Sequence, residues 1–128
     1  MAKAVMTETG RRKLCKAHAG DITLPTIAQM AFGDGGVDEN GEVLEMTGKE
    51  TGLKHELFRG DIDRHLFAED QETTCKYFRR LGKTDLAGNT ISEIGLFDSD
   101  GDLVAYRICP PKAKDADEEF DFNIDEVF

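Results

Sequence analysis

The chain has 128 residues, 39% of them hydrophobic and none of them tryptophan, and 16 basic against 26 acidic residues give a formal charge of -10. That length suits one domain spanning 1–128 with a modest core of Leu, Ile, Val and Phe. A surface this acidic repels phosphate backbones and anionic lipid, which argues against nucleic-acid and membrane partners; no stretch approaches the roughly 20 apolar residues of a membrane span.

Thr7 or Thr9 can cap a helix reading "ETGRRKLCKAHAG", with Gly20 placed for a left-handed C-terminal cap. Gly10 blurs where this helix begins. "MAKAVMTETGRRKL" lacks the apolar run of a secretory signal. Cys15, Cys75 and Cys109 are odd in number and form no CxxC pair. This usage predicts thiols buried as small apolar groups in a chain that folds in a reducing cytoplasm.

After Pro25, Ile27 to Phe32 is a mostly apolar run that predicts a central strand. Gly33 to Gly52 has no sustained periodicity and predicts a long exposed, acidic loop, a contact surface or mobile segment with room for a small hairpin at "NGEVLEM". "GLKHELFRGDIDRHLF" mixes helical spacing with a break at Gly60-Asp61, which predicts a short helical turn leading into an extended segment. "TTCKYFRRL", Thr73 to Leu81, is rich in β-formers. "ISEIGLF" and "LVAYRI" flank Asp100-Gly101, a two-residue type I′ hairpin signal. That pairing predicts Asp98, Ser99 and Asp102 as exposed turn flanks. "PPKAKDADEE" reads as a polar connector. "FDFNIDEVF" places Phe120, Phe122 and Ile124 on one face with a period of two. The expected fold class is α+β: an N-terminal helix packed on a largely antiparallel sheet or small β-sandwich, with a long acidic loop.

Motifs for catalysis or cofactors are weak. An EF-hand register on Gly101 puts Leu96 first and Arg107 twelfth, and a register on Gly41 puts Gly36 first and Thr47 twelfth. Neither supplies the ligands that close a calcium cage. "LGKTD" resembles the end of a phosphate loop, but Tyr77 stands where its first glycine belongs. "FGDGG" lacks dinucleotide spacing, and its glycines suit a turn at a strand end. His18, His55 and His65 have no metal spacing, and "HELFR" is not HExxH. The expectation is a non-enzyme without cofactor or metal. Two rivals are a small calcium-dependent protein-binding module using Asp98, Asp100 and Asp102, and a small hydrolase joining His55 or His65 to a carboxylate.

Two segments, "MAFGDGG" (Met30 to Gly36) and "ISEIGLFDSDGDLVA" (Ile91 to Ala105), resemble hallmark segments of the phage tail-collar fibre family. "TGRRKLCKAHAG" resembles that family's first helix, and order and spacing agree from about Ala4 to about Ile108. The resemblance implies a structural protein of the virion tail, made in the bacterial cytoplasm of a phage or prophage host. It implies attachment at the baseplate-proximal end of a tail fibre, with other tail fibre or baseplate proteins as partners and a homotrimer as a common state. The expected partner contacts are Asp34, Asp38 and Asn40 on the loop and Asp98, Asp100 and Asp102 at the hairpin tip. Neutralising the last three is expected to weaken assembly while leaving thermal stability nearly unchanged.

Overall fold

Alternating and continuous apolar runs become strands along most of the chain. The computed structural model describes residues 4–68 and 71–128. Its elements are β1 (Val5–Met6), α1 (Glu8–His18), β2 (Ile27–Gly33), β3 (Glu56–Asp61), β4 (Arg64–Ala68), β5 (Gln71–Leu81), β6 (Thr90–Asp98), β7 (Leu103–Ala113) and β8 (Phe120–Val127). They form two antiparallel sheets, one ordered β1-β7-β6-β2-β3 and the other β4-β5-β8. Ile62 and Asp63 alone separate β3 in the first sheet from β4 in the second, so a nearly continuous stretch turns the corner between them.

This corrects the α+β expectation. The chain is 49% strand and 9% helix, a mostly β protein with one short helix. The helix is too thinly apolar to form a layer, and Gly10 is its one buried residue. The segment expected to begin as a helical turn, Leu53 to Phe67, instead supplies β3 and β4, because pairing with β2 and β5 overrides its local helical spacing. The connector is also shorter than expected. Pro110 and Pro111 lie inside β7, at the irregularity where Ile91↔Lys112 follows Glu93↔Ile108. Irregularities of this kind tolerate residues that cannot donate to a ladder.

Other expectations hold. Thr7 is the N-cap, accepting from the Gly10 amide at 3.1 Å, and Gly20 has φ 84° beyond the helix end. Thr7 is itself buried and donates its hydroxyl to the Leu103 carbonyl at 2.6 Å, which fixes the helix start against β7. Gly10 sits there for a packing reason, since a Cβ would lie 2.8 Å from the Val104 carbonyl oxygen. β2 is flanked by β6 and β3, and β8 brings Phe120, Phe122 and Ile124 to the core between the sheets. Cys75 is buried as expected, but Cys15 is exposed and Cys109 only half-buried.

Two apolar clusters hold the sheets. The inner one joins Met30, Phe32, Ile94 and Leu96 of the large sheet to Leu81 and Ile124 of the small one. The outer one, Ala31, Phe97, Leu103, Tyr106 and Ile108, is covered by Leu44, Met46 and Leu53. The stretch after β2 is therefore a cover packed on the sheet, and β6 beneath it is buried on both faces. This revises the loop expectation for Gly33 to Gly52, in which Leu44 and Met46 face inward while Val43 stays exposed. The small hairpin expected at "NGEVLEM" is shifted toward the N-terminus, where a single bridge, Val37↔Val43, closes around "DENGE".

Glu93 anchors the cover. It is fully buried in β6, and its carboxylate accepts the amides of Gly35 (2.8 Å), Lys54 (2.8 Å) and His55 (2.9 Å) and the Tyr106 hydroxyl (2.5 Å). The glycines of "FGDGG" make this approach possible. A Cβ at Gly33 would stand 2.2 Å from the His55 carbonyl oxygen, and one at Gly35 would stand 2.6 Å from Glu93 Oε2.

Replacing Glu93 by Gln presents an NH2 group to donors and should cost about 3 kcal/mol in urea unfolding. Amide exchange at Gly35, Lys54 and His55 should then accelerate ahead of the rest of the sheet; uniform acceleration would show that Glu93 does not hold the cover. A second prediction concerns alkali. Burial pushes the Tyr106 phenol above its ordinary value and the hydrogen bond to Glu93 adds to this; burial does the same at Tyr77. Raised folded values leave this contribution intact below about pH 10 and erode it as pH rises further. Phenolate absorbance of these tyrosines should accordingly appear together with unfolding, not before it.

Candidate functional site

Five of the six expected contact residues fall into two turns of the same construction, and Asp34 lies ahead of the first. In "DSDGD" the Asp98 amide donates to the Asp102 carbonyl at 3.0 Å and the Gly101 amide to the Asp98 carbonyl at 2.9 Å. Asp98 Oδ1 accepts the Asp100 and Asp102 amides, each at 3.0 Å. In "DENGE" the Asp38 amide donates to Glu42 at 2.9 Å, Gly41 donates to Asp38 at 3.0 Å, and Asp38 Oδ1 accepts Asn40 (2.9 Å) and Glu42 (3.0 Å). Gly101 and Gly41 have φ 87° and 82°. The hairpin is thus not the two-residue type I′ turn expected from Asp100-Gly101. It is a three-residue loop with glycine alone in the left-handed region, and an Asx bond from the first aspartate fixes it.

The turns sit at opposite ends of β6. Gly36, which opens the first, donates to Ser92 Oγ near the start of the strand, while Asp98 ends it. Six residues of strand separate these points by roughly 20 Å. Asp34, Asp38 and Asn40 therefore form one group and Asp98, Asp100 and Asp102 another, rather than a single surface. Asp38, Asn40, Asp100 and Asp102 are exposed, and Asp34 is partly exposed beside His55, whose Nδ1 lies 2.5 Å from its carboxylate.

Asp98 corrects the expectation of an exposed flank: its side chain is only 2% exposed. Lys13 of α1 reaches over the hairpin and places Nζ 2.7 Å from Asp98, 3.1 Å from Asp100 and 2.6 Å from Asp102. Burial alone would lower the Lys13 ammonium, but the hydrogen bonds to Asp102, Asp98 and Asp100 outweigh it and hold the group well above the ordinary lysine range. Carboxylate oxygens of the three aspartates lie within 4.8 Å of one another, a spacing that could hold a cation. The cation they meet is Lys13, so the feature that prompted the calcium-binding reading is accounted for by an internal ion cluster. "LGKTD" is likewise structural, with Asp85 accepting the Gly82 amide at 2.9 Å.

Neither Lys13 nor Glu93 stands out from spacing alone. For Glu93 the available signal is a lone acid inside the run "ISEIGLF", five residues before the turn at Asp98. For Lys13 there is none, because 85 residues separate it from Asp98.

Replacing Lys13 by Met strands a buried carboxylate beside two others and should cost about 3 kcal/mol. Adding Asp98→Asn, which keeps an acceptor for the turn amides, should recover part of that loss. Urea unfolding of the four-member cycle should give a coupling above about 1 kcal/mol; additivity within about 0.5 kcal/mol would remove Lys13–Asp98 as a stabilising pair. Neutralising Asp98 by itself should also lower stability, contrary to the expectation for an exposed residue.

The geometry is that of a scaffold: two sheets, a pinned cover and a hairpin held by Lys13. No curated protein matches the chain. The family model of phage tail-collar fibre protein, N-terminal, matches residues 1–123. The chain belongs to the phage tail-collar fibre protein family through this N-terminal region, and it is a structural protein of the phage tail.

Proposed function

We propose that the chain, folded as one domain over 1–128, attaches or forms the baseplate-proximal end of a tail fibre in the virion. In this reading it is made in the bacterial cytoplasm, assembles as a homotrimer and binds other tail fibre or baseplate proteins, with no nucleic-acid or membrane partner and no catalytic role. The observation that carries the reading is the family match over residues 1–123. Its hallmark segments are also the ones that build the scaffold: "GDGG" and Glu93 meet beneath the cover, and "DSDGD" meets Lys13.

Among the six candidate contacts, Asp38 and Asn40 at one end and Asp100 and Asp102 at the other offer exposed side chains. Asp34 stands partly exposed beside the first group, and Asp98 serves the fold from within. An acidic rim of this kind sets register and encounter rate against a basic docking face more than it sets affinity.

The test combines particle composition with mass. Purified tails from a host expressing an epitope-tagged chain should carry the tag at the fibre-attachment end by immunogold labelling, and light scattering of the isolated protein should give three times the chain mass. Asp38→Lys with Asn40→Lys should lower incorporation into tails about tenfold without moving the melting temperature. Tails devoid of the protein would overturn the attachment reading, and a monomer at all concentrations would overturn the trimer.

A further inference from the structure

A cleft of about 420 Å³ opens beside the Lys13–Asp98 pair, between α1 with the segment Leu24 to Ile27 and the small sheet. Its floor is formed by Gly10, Val104, Cys75 and Tyr77, with Met6 and Leu14 on the helix side. Its mouth carries large apolar side chains left in water: Leu24 is 44% exposed, Phe67 51% and Phe128 59%. Isolated exposed apolar residues are ordinary, but several rimming one concave apolar site mark a binding surface.

The polar groups of the cleft have one dominant sign. Glu72 and Glu126 line it with Asp98, Lys13 and His65. Lys13 is already engaged by Asp98, Asp100 and Asp102, so its charge is neutralised within the wall. Among the described residues no lysine or arginine pairs with Glu72 or Glu126. The cleft thus combines an apolar bed with carboxylates that meet no cation among the described residues, and its complement is an apolar segment bearing positive charge.

We propose that this cleft docks a segment of another tail protein that presents apolar side chains next to Lys or Arg. The apolar side chains lie on Leu24, Phe67 and Phe128, and the cation meets Glu72 and Glu126. Burial raises the Glu126 carboxyl, opposed by a hydrogen bond from the Tyr77 hydroxyl; an arriving cation favours its ionised form, which couples docking to that charge. The proposal deepens the attachment reading and rests on it only for the partner being a tail protein.

The test uses the full isotope-labelled chain and two synthetic peptides, one of alternating leucine and lysine and one of leucine and glutamate. The leucine–lysine peptide should shift amide resonances of Leu24, Cys75 and Glu126, and the glutamate peptide should bind at least tenfold more weakly. Phe67→Ser and Glu72→Lys, both at exposed positions and checked for an unchanged melt, should each weaken the lysine peptide about tenfold. Equal binding of both peptides, shifts confined to other surfaces, or no binding would overturn the proposal. A fall in oligomeric mass on Phe67→Ser would overturn it too, by making the cleft a contact between copies of this chain. Immunogold labelling of tails is independent of every one of these outcomes, so failure here leaves the attachment reading standing.

Discussion

A carboxylate in the middle of a doubly buried strand must be met by donors, and the donors that meet Glu93 come mostly from the chain it holds down. Moving an ion from water into a protein interior costs several kcal/mol even after relaxation. Four hydrogen bonds to a charged acceptor, each contributing about 1.5–3 kcal/mol, are together of the size needed to offset that cost. Three of the donors are backbone amides from either end of the cover, Gly35 at its start and Lys54 and His55 at its close. The carboxylate therefore clamps the two ends of a segment of some twenty residues that has little regular structure of its own. Glycine at 33 and 35 follows from the same constraint, since any side chain there would occupy the space of the clamp.

The cover in turn explains β6. A strand in an antiparallel sheet with one face in water alternates apolar and polar residues. "ISEIGLF" does not alternate cleanly, because Leu44, Met46 and Leu53 shield its outer neighbours while the small sheet shields the inner ones. Closing the outer cluster with a pinned coil rather than a third sheet leaves the tips of the excursion free, and the "DENGE" turn projects from it. The protein can vary that tip without disturbing the layer beneath.

Strand signals were legible where periodicity was local. The period of two at Phe120, Phe122 and Ile124 and the capping of α1 by Thr7 could be read from a few neighbours. The fold class could not, because α1 looks like a structural layer until its partners are counted, and Leu53 to Phe67 carries a helical spacing that loses to strand pairing. Asp98 misled for a related reason. A D-x-D-G-D run looks solvated from sequence, and only the helix folded over it supplies the lysine that buries it. Contacts across 38 to 85 residues, such as Lys54–Glu93, His55–Glu93 and Lys13–Asp98, leave no local pattern. The cleft is invisible for the same reason, since its walls come from α1, β4, β5 and β8.

The formal charge of -10 therefore divides into two populations with different physics. Glu93 and Asp98 spend their charge inside the molecule, one on amides and a phenol and the other on Lys13 and turn amides. Asp38, Asp100, Asp102 and Glu72 stand at the surface, where a Debye length of about 8 Å at physiological salt governs their reach. Added salt screens the second population and leaves the first nearly untouched, because buried pairs are shielded from mobile ions. Stability and association should thus respond to ionic strength separately. That separation matters for a structural protein of the phage tail, whose surface can be matched to neighbours while its interior keeps one shape. Here the same residue type does both jobs, and burial alone decides which.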